Sequence, residues 1–325
     1  MRSALDAAHL VARALAACSL CGAVSSCGDA ATVRAAGTGP AAASPMGPAG
    51  GSPTRLLFAC VGDTRPPSED DTAGYPTEII TQIFAGIQAV RPRPSFVVST
   101  GDYMFASSRP DTQAAPQLDL YMQARARFAG TLFPAMGNHE CTGATSSNCG
   151  PGAENGVTTN YAAFVRTLLS PIRENEPYYV VPIAAADGTW TAKLVFVAAN
   201  AWSPAQETWL ESALSQPTTY TFVVRHEPAA ASTAPGVSPS EAIMGRHPYT
   251  LAIVGHSHTY RHPASNWREV LIGNGGAPLT GKDYGFGLFS QRSDGAIVVD
   301  MMNWRTRQAD PAFHFVVQAD GTPGI

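Results

Sequence analysis

The sequence predicts an α/β protein in which two β-sheets pack face to face with helices outside. Three observations support this. Short β-rich runs alternate with helical patterns from residue 55 onward, the chain turns to strands alone after Arg268, and no linker-like stretch interrupts residues 55–325. Alternation of this kind in both halves, closed by a strand-rich end, reads as one layered α/β domain.

The first strand is expected over 56–62 (LLFACVG), a continuously apolar run of the sort buried on both faces. A helix follows over 77–90, with Ile79, Ile80, Ile83, Phe84 and Ile87 at helical spacing and Arg91-Pro92 closing it. Residues 95–100 give the next strand, 118–128 a helix, 133–136 a short strand and 161–169 a helix. The second half continues with a strand at 194–199, a helix at 205–214 and strands at 222–224 and 251–254. Strands at 269–272, 287–290, 296–301 and 312–317 complete the chain.

Composition excludes several classes. A chain of 325 residues that is 45% hydrophobic can bury a substantial core. With 21 basic and 25 acidic residues the net charge is −4, which gives no basic face for nucleic acid. Glycine and proline are abundant but follow no G-X-Y period, so collagen is excluded. No apolar run reaches the roughly 20 residues of a membrane span.

The N-terminus reads as a targeting segment. Residues 1–54 contain no aromatic side chain and offer little to bury. Arg2 and Arg13 flank a weakly basic start, and 14–26 is a short apolar, small-residue stretch, as in a secretory signal. Val24-Ser25-Ser26-Cys27 resembles a bacterial lipobox, which implies a signal over 1–27, lipidation of Cys27 and a membrane-anchored, exported protein at the periplasm or cell surface. Leu15-Ala16-Ala17-Cys18 fits the same pattern after a shorter apolar run, and an ordinary cleaved signal is the alternative. Residues 28–54, rich in Ala, Gly and Pro, read as a disordered tether. Cys141 and Cys149 bracket a polar loop suited to a short disulfide in an oxidising compartment, and Cys60 reads as a small buried hydrophobe.

Five apolar runs stop abruptly at a polar residue: Gly62-Asp63, Gly101-Asp102, Gly137-Asn138-His139-Glu140, Arg225-His226-Glu227 and Gly255-His256-Ser257-His258. Asp63 or Asp102 alone would read as a turn or helix cap, and His226 alone as a satisfied core histidine. Together they put carboxylates, an amide and imidazoles at the carboxyl ends of strands, where α/β sheets bind ligands. Such a mixed N/O set suits Mn, Fe or Zn rather than Ca or Mg.

These residues, in this order, resemble the calcineurin-like metallophosphoesterase superfamily, which includes purple acid phosphatases and whose pattern is D-x-H, G-D, G-N-H-[DE], a lone His and G-H-x-H. The resemblance runs from Phe58 to Ala277, with softer likeness at Glu207–Leu210 and in the Gly273-Asn274-Gly275-Gly276-Ala277-Pro278 run. It implies a four-layer α/β/β/α sandwich with two mixed β-sheets and hydrolysis of small phosphoesters, mono- or diesters, by a metal-bound hydroxide. It also implies one or two transition-metal ions. Asp102 would bridge them, Asn138, His226 and His256 would complete one shell, and Asp63 and His258 would hold the other ion. His139 would protonate the leaving oxygen and Glu140 would orient its imidazole.

One position departs from the pattern. The D-x-H histidine is Arg65 here, which has no lone pair to offer a metal. The tyrosine that purple acid phosphatases place three residues after the bridging aspartate is Phe105, with Tyr103 as a conceivable substitute. Arg65 is expected to fork onto a phosphate, the alternative being a surface pair with Glu69 or Asp70. The departure also sets up a second function, a tethered phosphate- or metal-binding protein with little turnover. Segments 66–76, 140–160 and 228–247 are expected to form the rim, with Asn155 and Asn160 facing substrate.

Overall fold

In the computed structural model, residues 50–107 and 113–325 are described. The signal and lipobox expected over 1–27 lie outside them, as does most of the tether. The exception is residues 50–54, which are pinned to the body: Gly50 N–H donates to Pro182 O at 2.8 Å and Gly51 O accepts from Ala184 N–H.

Among the described residues, twelve strands form two six-stranded sheets. The first has the order β12-β11-β10-β1-β2-β3, with β1 (Leu57–Val61), β2 (Phe96–Ser99), β3 (Thr131–Pro134), β10 (Gly285–Gln291), β11 (Ile297–Asn303) and β12 (Ala309–Val317). The second has the order β4-β5-β6-β7-β9-β8, with β4 (Tyr179–Ala184), β5 (Thr191–Val197), β6 (Tyr220–Arg225), β7 (Leu251–Val254), β8 (Tyr260–Arg261) and β9 (Glu269–Ile272). Both are mixed. β1, β2 and β3 are parallel to one another and β10 is antiparallel to β1, while β5, β6, β7 and β9 are parallel between the antiparallel edges β4 and β8.

Register explains how the sheets meet. Phe58 pairs with Phe96 on one side and Phe289 on the other, and the three rings stack at 5.3 and 4.6 Å. Phe222 of the opposite sheet meets Phe58 edge-on at 5.4 Å, so one aromatic layer joins the two inner faces. Alternate residues of β5 and β6 point outward, where Val195, Val197 and Val223 pack under Leu210 and Leu214 of α4 (Pro204–Ser215) and Ile243 and Met244 of α5 (Val237–Met244). Burial on both faces is why these strands read as unbroken apolar runs. α1 (Thr77–Ala89) and α2 (Ala114–Arg125) complete the layering, and the four-layer sandwich is the observed fold.

Several elements differ from expectation, among them the two-residue strand β8, which has no counterpart among the expected strands. β4 carries Pro182 and alternates buried with half-exposed residues, as an edge strand tolerates. α5 lies inside what was expected to be a rim loop, with Pro239 in its first turn. The helix expected over 161–169 is α3 (Thr159–Phe164), capped by Thr158 Oγ1, which widens into a π-helical turn, Val165–Leu169.

Candidate metal centre

The five polar strand ends converge at one edge of the sandwich, sewn together by backbone bonds. Asp63 N–H donates to Gly101 O, Thr64 N–H to Asp102 O and Gly255 N–H to His226 O. The approach is too close for side chains at some positions: a Cβ on Gly137 would lie 2.3 Å from Asp102 Oδ1, and Gly101 has a φ of 107°. Among the described residues, six non-glycines have positive φ, and three of them are Asp63, Asp102 and His256. Left-handed backbone at such residues costs about 1–2 kcal/mol each and tends to persist at functional sites.

Four donor atoms form a tight cluster. His226 Nε2 lies 3.3 Å from Asp102 Oδ1 and 3.2 Å from Asn138 Oδ1. His256 Nδ1 lies 3.1 Å from Asn138 Oδ1 and 3.2 Å from His226 Nε2. A transition-metal ion about 2.0–2.2 Å from N and O donors sets neighbouring ligands about 3.0–3.5 Å apart, so these spacings fit one ion. The tautomer fits as well: His226 Nδ1 lies 2.8 Å from Thr100 O, and donation there leaves Nε2 free to ligate. A second group, Asp63, Asp102 and His258, also converges within coordination reach. His258 Nδ1 lies 2.9 Å from Pro278 O, and its Nε2 lies 3.7 Å from Asp63 Oδ1, a buried oxygen with no hydrogen-bond partner.

The charge pattern shows what the cluster requires. Burial opposes ionisation of Asp102, but His226, His139 and Arg65 outweigh it and hold the carboxyl well below the usual range. Burial also opposes charge on His226, yet Asp102 raises it well above the ordinary imidazole value. Burial, reinforced by Asp102, pushes Asp63 well up. His256 is lowered to about 4 by burial and by His226. His258 is lowered by burial and by Arg65. Ionised Asp102 thus favours positive charge beside it among Asn138 and His226, a charge that a metal ion would supply in place of the imidazole proton.

Arg65 and His139 flank this cluster. Arg65 turns inward, with Nε 3.8 Å from Asp102 Oδ2 and its guanidinium over the Phe105 ring at 4.7 Å. His139 meets the same ring edge-on at 4.5 Å, and its Nε2 lies 3.9 Å from Asp102 Oδ2. Burial lowers this imidazole to about 4, with Arg65 adding to the effect. Phe105, standing where a ligand tyrosine would be, is the wall that sets both groups.

Several expectations are corrected. Glu140 does not orient the His139 imidazole; its oxygens accept from the backbone N–H groups of Asp102, Tyr103 and Gly137 at 2.9, 2.8 and 2.8 Å. A fully buried carboxylate needs such donors, and the strand-end loops supply them. Tyr103 is no ligand, because its ring is buried against Tyr121 and its hydroxyl donates to Ala135 O. Asn160 is fully buried behind the site, donating to His139 O and Ala106 O, and Asn155 braces Asn148. Asp70, expected as a surface partner for Arg65, accepts from the backbone N–H groups of Ser107 and Gln113. The Cys141–Cys149 disulfide is present and Cys60 is buried.

Other positioning groups had little or no signal in the sequence. Thr100 anchors His226 through its carbonyl and reaches Ile272 O with its hydroxyl. The 273–278 segment, noted in the sequence as a soft likeness to the family, braces the Asp63 strand end through Gly275 N–H to Gly62 O and Ala277 N–H to Asp63 O. Arg225, buried beside His226, bonds Ser240 and Glu241 and so ties α5 to the site.

A search of the curated proteins finds no match. Among solved structures, purple acid phosphatase PPD1 from yellow lupin (Lupinus luteus) seeds is similar at a TM-score of 0.58 and 13% identity, over 85% of this chain and 57% of that one. GAP50, described as the anchor in the inner membrane complex of Plasmodium, is similar at 0.56 and 14%, over 82% and 89%. A dimetal phosphatase from Danio rerio is similar at 0.54 and 14%, over 82% and 100%. At these identities the likeness establishes the fold. The family model of the calcineurin-like phosphoesterases matches residues 56–260, which carry all five strand-end motifs, and the chain belongs to that family.

Proposed function

We propose that this protein is an exported, metal-dependent hydrolase of small phosphoesters. The observation that carries it is the cluster of Asp102 Oδ1, Asn138 Oδ1, His226 Nε2 and His256 Nδ1, joined by contacts of 3.1–3.3 Å, with Arg65 and His139 on its open side. Those four residues would hold one transition-metal ion (Mn, Fe or Zn by donor type), and Asp63, Asp102 and His258 form the second candidate position. Bound metal supplies Lewis acidity toward a phosphoryl oxygen and toward water.

The chain's own groups do the rest. Thr100 O and Pro278 O fix the His226 and His258 rings, and Glu140 fixes the loops that present Asp102 and Asn138. Arg65 offers a two-pronged guanidinium to two phosphoryl oxygens. His139, neutral while its imidazole stays near 4, offers an N–H to the leaving or phosphoryl oxygen. Phe105 packs against both. In the reaction a P–O ester bond breaks, the water oxygen ends on phosphorus and the alcohol leaves with a proton.

The full chain, reloaded with Mn, Fe or Zn, should hydrolyse p-nitrophenyl phosphate or its bis ester. Asp102→Ala should lose both turnover and bound metal, and full activity in that variant would end this reading. Arg65 against Asp102 motivates the alternative, a phosphate-binding protein with little turnover; its signature is tight phosphate binding without hydrolysis under any of these metals.

Export is supported by the disulfide and by the 14–26 stretch. Anchoring through Cys27 predicts that Cys27→Ala moves the protein from the membrane fraction to the soluble one in a bacterial host. An unchanged distribution would contradict it.

A further inference from the structure

We propose that Arg65 stands in for the second metal ion, so that this is a one-metal centre whose second positive charge is a fixed guanidinium. The proposal rests on the reading of the cluster as a metal-dependent phosphoesterase site.

Asp102 presents its two oxygens to different groups. Oδ1 faces His226 Nε2 at 3.3 Å and belongs to the four-donor cluster. Oδ2, the oxygen left outside that cluster, faces the fixed charge of Arg65, Nε at 3.8 Å, and His139 Nε2 at 3.9 Å. A guanidinium has no lone pair and does not give up its proton, so it neither ligates an ion there nor becomes neutral to admit one.

Arg65 is also held in place. Its Cζ lies 4.7 Å over the Phe105 ring, and Nη1 donates to Pro66 O at 3.1 Å. The side chain is 14% exposed, and Nε is buried without a hydrogen-bond partner, a donor directed at the site with nothing to satisfy it. A phosphoryl oxygen would satisfy it.

The second position is correspondingly thin. It has three candidate donor residues, one of them shared, and of the two Asp63 oxygens only Oδ1 is free, because Oδ2 is already engaged. Asp63 Oδ2 accepts from His256 N–H at 3.1 Å, at the residue whose φ of 72° turns the imidazole into the cluster. Asp63 thus serves the first ion as a positioning residue, holding the backbone of a ligand.

The test strips the full chain of metal, reloads it with excess Mn(II), removes unbound ion and measures Mn per chain by elemental analysis and electron paramagnetic resonance. Wild type is expected to hold one ion with the spectrum of an isolated Mn(II). Arg65→His, which supplies a ligand in place of the charge, is expected to hold two with an exchange-coupled spectrum. Arg65→Met, which keeps the length but not the charge, is expected to keep one ion and to bind inorganic phosphate about 10–100-fold more weakly by calorimetry. Two ions in the wild type overturn the proposal and leave the metal-centre reading standing, whereas none overturns both. A single ion in a folded Arg65→His, or unchanged phosphate affinity in Arg65→Met, also overturns it.

Discussion

Glu140 accepts the backbone N–H of Asp102 at 2.9 Å, so the carboxylate beside the G-N-H motif holds a neighbouring strand end in place rather than tuning the adjacent imidazole. The same oxygen takes Gly137 N–H and the other takes Tyr103 N–H. One buried side chain thereby fixes the spacing between the loops that present Asp102 and Asn138. Glu140→Ala should leave three buried N–H groups unsatisfied and cost about 3–5 kcal/mol, with metal affinity falling about 10–100-fold. Calorimetric melting and metal titration check this. A shifted pH–rate profile at unchanged metal affinity would restore the imidazole-orienting role.

His139 is expected to act on the substrate and not on the metal. His139→Ala should lower kcat for an aryl phosphate about 10²–10³-fold while the metal content per chain stays at the wild-type value. Loss of metal together with activity would place the imidazole in the ligand set instead.

Gly137 tests how tightly the loops approach. Its added Cβ would meet Asp102 Oδ1 at 2.3 Å and Asp102 N at 2.8 Å. Neither the backbone nor a ligand carboxylate can retreat without opening the cluster. Gly137→Ala should weaken metal binding at least about 10-fold, as read by competition with a chelator. Wild-type affinity would mean the strand ends have slack that the distances do not show.

In the metal-free protein the buried His139 and His256 of the site should lose their stabilising contribution in a defined acid window. Burial holds His139 and His256 near 4 in the folded chain, against about 6.5 when unfolded. Between those values these two imidazoles bind more protons in the unfolded chain, so their contribution to stability rises with pH across the window and falls as pH drops from 6.5 toward 4. His258, lowered too, acts in the same sense, while His226, raised well above its ordinary value, adds stability that is lost only at higher pH. Glu140, raised to about 7 by burial, and Asp63 and Glu227, raised by burial as well, act in the opposite sense, so the histidines are read one by one. In chelator, NMR titration of the folded chain should find His139 and His256 still neutral at about pH 5.5, and protonation of either near 6.5 would contradict these assignments.

The disulfide lies next to the site. Cys141 directly follows Glu140, and Gly143 O accepts from the Asn138 side chain, so the loop closed by Cys149 also holds a candidate ligand. Replacing both cysteines by serine should cost about 2–3 kcal/mol by the loop-closure relation and reduce metal affinity as well. Denaturant melts with paired metal titrations would show it, and lost stability with intact affinity would confine the bridge to a structural role.

The sequence revealed much of this site for a simple physical reason. Strands buried on both faces are apolar throughout, so the first polar residue after each one marks a strand end, and Asp63, Asp102, Asn138, His226 and His256 stood out against that background. What stayed hidden depends on approach in three dimensions. The three N–H groups that receive Glu140 come from two separate loops, and the burial of Asn160 behind His139 follows from where α3 begins. The inward turn of Arg65 follows from the placement of the Phe105 ring. β4 escaped because Pro182 and half-exposed alternate residues make an edge strand look like a loop.

Anomalous diffraction from crystals of the Mn- or Zn-loaded protein tests the central claim most directly. The account predicts a strong peak in coordination contact with Asp102, Asn138, His226 and His256 together. A fully loaded protein whose metal lies elsewhere, with those four side chains empty-handed, would contradict it.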